Sequence, residues 1–157
     1  NSILNESSEI YQSQITSLRE RLKDDEFEEE IFVRGGLFKK TIPKIYEYTC
    51  CISGLKIETS NNVQMVDACH IYPFSLSSDD TVPNGIALSP TMHRAFDRGL
   101  ITINSDYIVR VSPTVDDQNS EFSITQFDGK QIMLPREERW FPSLQSLRWH
   151  NKEVFQL

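Results

Sequence analysis

A chain of 157 residues, 38% of them hydrophobic, suits one globular domain, or a small domain with an appended helix, and can bury a core without covalent staples. Three cysteines, two of them adjacent at Cys50 and Cys51, exclude a regular disulfide framework, and with no CxxC pair there is no four-thiolate zinc knot. No apolar run reaches the length of a membrane span, and the polar N-terminus lacks the basic and apolar zones of a signal peptide. The expected setting is soluble, reducing and cytoplasmic, without a membrane partner.

The net charge of −7 argues against a polyanionic partner until its distribution is considered. Residues 1–30 hold nine acids against three bases, a balance of −6, which leaves 31–157 at −1. Within 34–44, Arg34, Lys39, Lys40 and Lys44 stand with no acid among them. A locally basic strip is compatible with nucleic acid, whereas whole-chain charge speaks mainly of solubility. The chain begins at Asn1, which leaves room for an upstream reader domain.

In chain order, residues 1–33 read as a long N-terminal amphipathic helix without Gly or Pro. Leu4, Tyr11, Ile15, Leu18 and Leu22 follow coiled-coil spacing, so the helix packs on its own domain, links to something upstream, or forms a homodimer. After Gly35-Gly36, residues 34–157 read as the folded domain. A short helix is predicted over 38–48 with Thr41 as N-cap and Pro43 in its first turn. Residues 50–57 and 64–71 are β-rich. A polar loop follows Pro73, then the apolar strand 86–88. Ser89 as N-cap, Pro90 at the first helical position and Gly99 as the stop define a helix over 90–98. Residues 100–103 and 107–111 form a hairpin around Asn104-Ser105-Asp106, a second hairpin is expected over 122–134 with its turn at Asp128-Gly129, and a last helix opens at Pro142-Ser143. The class is α+β.

Chemistry concentrates between Asp67 and Leu100. His93 and Asp97, four apart, share one helix face, a spacing suited either to two ligands of one cation or to a surface ion pair. His70 sits near a strand end, where an imidazole can overhang a loop, and an unperturbed imidazole is able to take a proton from water near neutral pH. Asn84, in an Asn-Gly turn, is able to bond backbone across the loop. Arg94 and Arg98, beside the ligand positions, suit a phosphate or a surface ion pair with Asp97 or Asp106. Lys39 and Lys40 suit backbone phosphates or solvent.

His70, Asn84 and His93, in that order with strand, loop and helix between them, resemble the HNH (ββα-metal) endonuclease motif. The phrases DACHIYPF, NGIALSPTMHRAFDRGLITI and SLRWHNKEVF resemble the branch of predicted bacterial HNH restriction endonucleases, over about 34–111 and the last helix. The resemblance implies a ββα-metal finger flanked by hairpins and helices, acting on DNA in restriction or defence. It implies His70 as general base, Asn84 as loop brace, and His93 with Asp97 as ligands of one divalent metal, Mg²⁺ or Mn²⁺ first, Ni²⁺ or Zn²⁺ as alternatives. It further implies products with 5′-phosphate and 3′-hydroxyl ends. Many relatives carry an acidic or histidine ligand directly before the base. Here that position is Cys69, and Asp67 is the nearest carboxylate, so Asp67, Cys69 or water completes the shell. The rival reading is an HNH-like module that binds DNA or protein without cutting. His150, within SLRWHNKEVF, is read as structural.

Overall fold

Every residue of the short strand β2 (Gly85–Leu88) is buried, and the folded region is built around it. The computed structural model describes residues 37–157. The predicted N-terminal helix, its seam and any dimer through it lie outside the described residues. β2 pairs antiparallel with β1 (Asp67–His70), in the register Asp67 to Leu88 and His70 to Gly85. Between the strands come a single helical turn, α2 (Phe74–Ser77), and a 3-10 turn over Val82–Asn84. Helix α3 (Pro90–Asp97) follows directly, so strand, strand and helix form the expected ββα unit.

The ends of α3 obey the local chemistry of its sequence. Ser89 is the extended N-cap, its hydroxyl accepting from the Met92 amide, and Pro90 needs no amide at the first helical position. Gly99, at φ +76°, ends the helix, and an added Cβ there would lie 2.1 Å from the Val154 carbonyl oxygen. Met92, Ala95 and Phe96 bury one face, leaving His93, Arg94, Asp97 and Arg98 toward the site and solvent.

Helix α1 (Phe38–Ile45) lies against β1 and β2 through Phe38 and Ile42. Gly85 makes that approach possible: a Cβ there would come within 2.4 Å of Ile42 Cδ1 and 2.8 Å of Phe38 Cζ. The helix starts before Thr41, contrary to the N-cap reading, and Pro43 sits inside it. Burial of Phe38 draws the preceding turn into the helix, and propensity at Thr41 is the weaker effect.

The predicted first hairpin forms as β3 (Ile101–Ile103) and β4 (Val109–Val111), its turn fixed by Asn104 Oδ1 accepting from the Asp106 and Ile108 amides. Two strand expectations fail. Residues 50–57 take turns and irregular backbone, with Cys51 bridging the fold instead: its amide donates to the Ala87 carbonyl and its carbonyl accepts from Met133. The second hairpin over 122–134 is absent. Residues 129–132 instead run beside β4, with the Val109 amide donating to Lys130 and the Ile132 amide donating to Tyr107. The segment that was to pair with them is held by Asp117, whose carboxylate accepts from the Ile124 and Thr125 amides. Non-local partners override local strand propensity in both places.

The last helix, α4 (Leu144–Glu153), is capped by Ser143 as expected. It is pinned by a buried polar chain: Asn151 donates to Thr102 Oγ1, that hydroxyl donates to His150 Nδ1, and His150 Nε2 donates to the Phe96 carbonyl. One hydrophobic cluster joins α1, α3, α4 and the four strands, and its three cysteines, Cys50, Cys51 and Cys69, are free and buried.

Candidate active site

Strand alternation divides the chemistry of β1 between two sides. Asp67 and Cys69 face α3, and His70 faces α1 and the loop before β2. On the α3 side, His93 is held between two carboxylates. Its Nδ1 lies 2.9 Å from Asp67 Oδ2 and its Nε2 3.2 Å from Asp97 Oδ2. The hydrogen bond to Asp97 first, then that to Asp67, lifts the His93 pKa to about 9 against the opposing effect of burial. Cys69 lies beneath, its Sγ 3.9 Å from Asp97 Oδ1 and 3.5 Å from the His70 carbonyl. Burial, then the neighbouring Asp97 charge, raises its thiol well above the ordinary range, so the sulfur stays protonated.

Cys69, His93 and Asp97 offer one donor atom each within 4.8 Å of one another. Of the two side chains of β1 that the sequence offers to complete the shell, Cys69 is in that trio, and Asp67 meets the opposite nitrogen of His93. The donor chemistry of His93 and Asp97, an imidazole and a carboxylate, suits a divalent cation, and Cys69 would join them only by giving up its proton.

On the other side of β1, the His70 ring stacks on Phe38, with centroids 3.9 Å apart and planes within 5°, and Phe74 tilts against it. His70 Nε2 lies 2.7 Å from Asp80 Oδ1. Asp80 was not singled out from sequence. It sits beside Asp79 in SSDDT, where either carboxylate reads as ordinary turn chemistry, and only the fold distinguishes them. Asp79 Oδ1 takes the amide and hydroxyl of Thr81, while Asp80 reaches back to the strand.

Asn84 closes the neck of this loop. It is 1% exposed, accepts from the Tyr72 amide at 2.8 Å, and donates to the carbonyls of Tyr72 and Asp79, each at 2.9 Å. The amide therefore bonds backbone on both limbs, which fixes where Asp80 begins. Among the described residues, the exposed Arg94 and Arg98 pair with no acid, nor do Lys39 and Lys40 at the start of α1 beside Phe38. Of the two readings open for the arginines, the surface ion pair with Asp97 or Asp106 does not form among the described residues.

Comparisons with known proteins agree with this geometry. Residues 50–104 match the HNH endonuclease family. The fold is similar to the solved structure of the modification-dependent TagI restriction endonuclease, with a TM-score of 0.57 and 20% sequence identity. That match covers 78% of this chain and 39% of the other, so this chain spans well under half of that protein's length. No curated protein matches the chain. The family match spans β1, the loop, β2 and α3, so the segment 50–104 that carries His70, Asn84 and His93 is similar to the HNH endonuclease family in sequence as well as in its ββα order.

Proposed function

We propose that the chain is a metal-dependent DNA endonuclease of restriction or defence, with His70 as general base and one divalent cation held by His93 and Asp97, with Asp67, Cys69 or water completing the shell. The observation that carries this reading is the division of β1. One strand presents an imidazole supported by a carboxylate on one side, and on the other meets a cluster of imidazole, carboxylates and thiol, with Asn84 bracing the loop between. The likeness to a modification-dependent restriction enzyme supports DNA as the substrate.

When bound, a divalent cation at His93 and Asp97 supplies Lewis-acid stabilisation of charge developing on the scissile phosphate. Asp67 keeps the His93 ring oriented through Nδ1, or joins the shell directly. His70 accepts a proton from the attacking water as its oxygen bonds to phosphorus. The bond from phosphorus to the 3′ oxygen breaks, its electron pair stays on that oxygen, and a solvent proton completes the 3′-hydroxyl opposite a 5′-phosphate. Arg94 and Arg98, exposed beside the ligands, hold the phosphate, and Lys39 and Lys40 contact the backbone on the His70 side.

The test is nicking of supercoiled plasmid, methylated and unmethylated, by the full chain with single added metals. We expect cleavage that EDTA abolishes and that His70→Ala reduces at least about 100-fold, the usual scale for a general base. Nicking by His70→Ala at the wild-type rate removes that residue from the mechanism. One feature favours a second reading, a non-cleaving module: the neutral buried thiol of Cys69 directly before His70. DNA binding without cleavage under every metal would select it.

A further inference from the structure

We propose that Asp80 is a positioning residue for His70, holding its ring in the Nε2–H tautomer so that Nδ1 is the atom that receives the proton of the attacking water. The inference rests on the reading of His70 as general base and adds to it a partner and a named atom. A carboxylate only accepts, so at 2.7 Å the Nε2–H of His70 donates to Asp80 Oδ1, which leaves the Nδ1 lone pair free.

Three further observations make the pair a built arrangement. Both side chains are largely shielded, 27% exposed for His70 and 18% for Asp80. Phe38 stacks flat on the imidazole, and Phe74 tilts against it, so the ring cannot swing without losing apolar contact. The backbone immediately before Asp80 is tied down, since Asn84 donates to the Asp79 carbonyl and Asp79 binds Thr81. Asn84 thus acts at a distance on the base: it sets the loop, the loop sets Asp80, and Asp80 sets the ring. An imidazole held by a carboxylate on one nitrogen and reacting through the other is a general solution to base catalysis, and loss of the carboxylate costs rate through the wrong tautomer.

The experiment combines single-turnover nicking with long-range ¹H–¹⁵N spectra of the histidine rings, His70 being assigned by its loss in His70→Ala. Spectra are taken across a pH series, and the tautomer is read where the ring carries a single N–H. In the wild type His70 is expected as one Nε2–H tautomer. In Asp80→Ala it is expected as a mixture, with the nicking rate lowered on the order of 100-fold and the concentration of metal giving half-maximal rate unchanged within about threefold. Asp80→Asn, which keeps the volume and serves where the alanine variant fails to fold, is expected to lose rate as well, because its amide can donate to Nε2 and select the opposite tautomer. A wild-type His70 that samples both tautomers overturns the proposal, whatever the activity. So does near-wild-type nicking by Asp80→Ala, or loss of nicking with the Nε2–H tautomer intact. If His70→Ala is inactive while Asp80→Ala is fully active, only the role of Asp80 falls; if His70→Ala is fully active, the general-base reading falls instead.

Discussion

Asp67 Oδ2 accepts a hydrogen bond from His93 Nδ1 at 2.9 Å, across 26 positions of sequence. Because Asp97 holds the other ring nitrogen, the imidazole of the metal-free protein is a shared cation between a strand and a helix. This makes His93 a tie between β1 and α3 even before any ion is bound.

That tie is expected to depend on pH. The folded pKa of about 9 lies above the ordinary value, so the folded state binds more protons between about 6.5 and 9. The stabilisation is therefore complete below about pH 6.5 and is lost as pH rises through about 9. With both carboxylates half-exposed, solvent screening leaves it at about 1–2 kcal/mol. Urea midpoints in EDTA at the two ends of this window should differ in the wild type and converge in His93→Gln. A pH-independent difference between the two proteins would remove the ion pair from the account.

Asn84→Ala removes three hydrogen bonds from a residue that is fully buried, leaving the Tyr72 amide and two carbonyls without that partner. A loss of about 2–4 kcal/mol in urea unfolding follows from the cost of unsatisfied buried groups. Asn84→Asp is expected to be no better, since a carboxylate cannot donate to either carbonyl. Equal stability of wild type and Asn84→Ala would mean that the loop closes without the amide.

Gly85→Ala tests the seating of α1. The added methyl overlaps Ile42 and Phe38, both buried, and overpacking of this kind costs about 1–3 kcal/mol. Phe38 should shift off the His70 ring, so nicking is expected to fall while metal binding at the opposite side of β1 is kept. Thermal unfolding and calorimetric metal titration separate the two effects.

His150 should limit stability in acid. Burial lowers its pKa to about 4, against the raising effect of the Phe96 carbonyl. Its contribution is present above about pH 6.5 and is lost as pH falls toward 4, a span corresponding to about 3 kcal/mol. His150→Gln, which cannot become charged, should flatten that part of the stability profile. A profile unchanged by the substitution would place the acid sensitivity elsewhere.

Much of the finger was legible locally because its signals act over a few residues. Ser89-Pro90 and Gly99 bound α3, Asn104 makes its turn, and the four-residue spacing of His93 and Asp97 puts both on one helix face whatever the rest of the fold does. What the tertiary structure decided depends on partners distant in sequence. β-rich 50–57 and 122–134 did not form the expected strands because Ala87, Met133 and β4 supplied backbone partners that propensity does not contain. Sequence leaves Asp67, Cys69 or water to complete the metal shell, and only the fold shows Asp67 against His93 Nδ1 and Cys69 within the donor trio. Asp79 and Asp80 are indistinguishable as adjacent carboxylates in a polar loop. Only Asn84 closing that loop against Tyr72 and Asp79 aims one of them at His70, because the direction of a side chain is set by where the fold anchors its backbone.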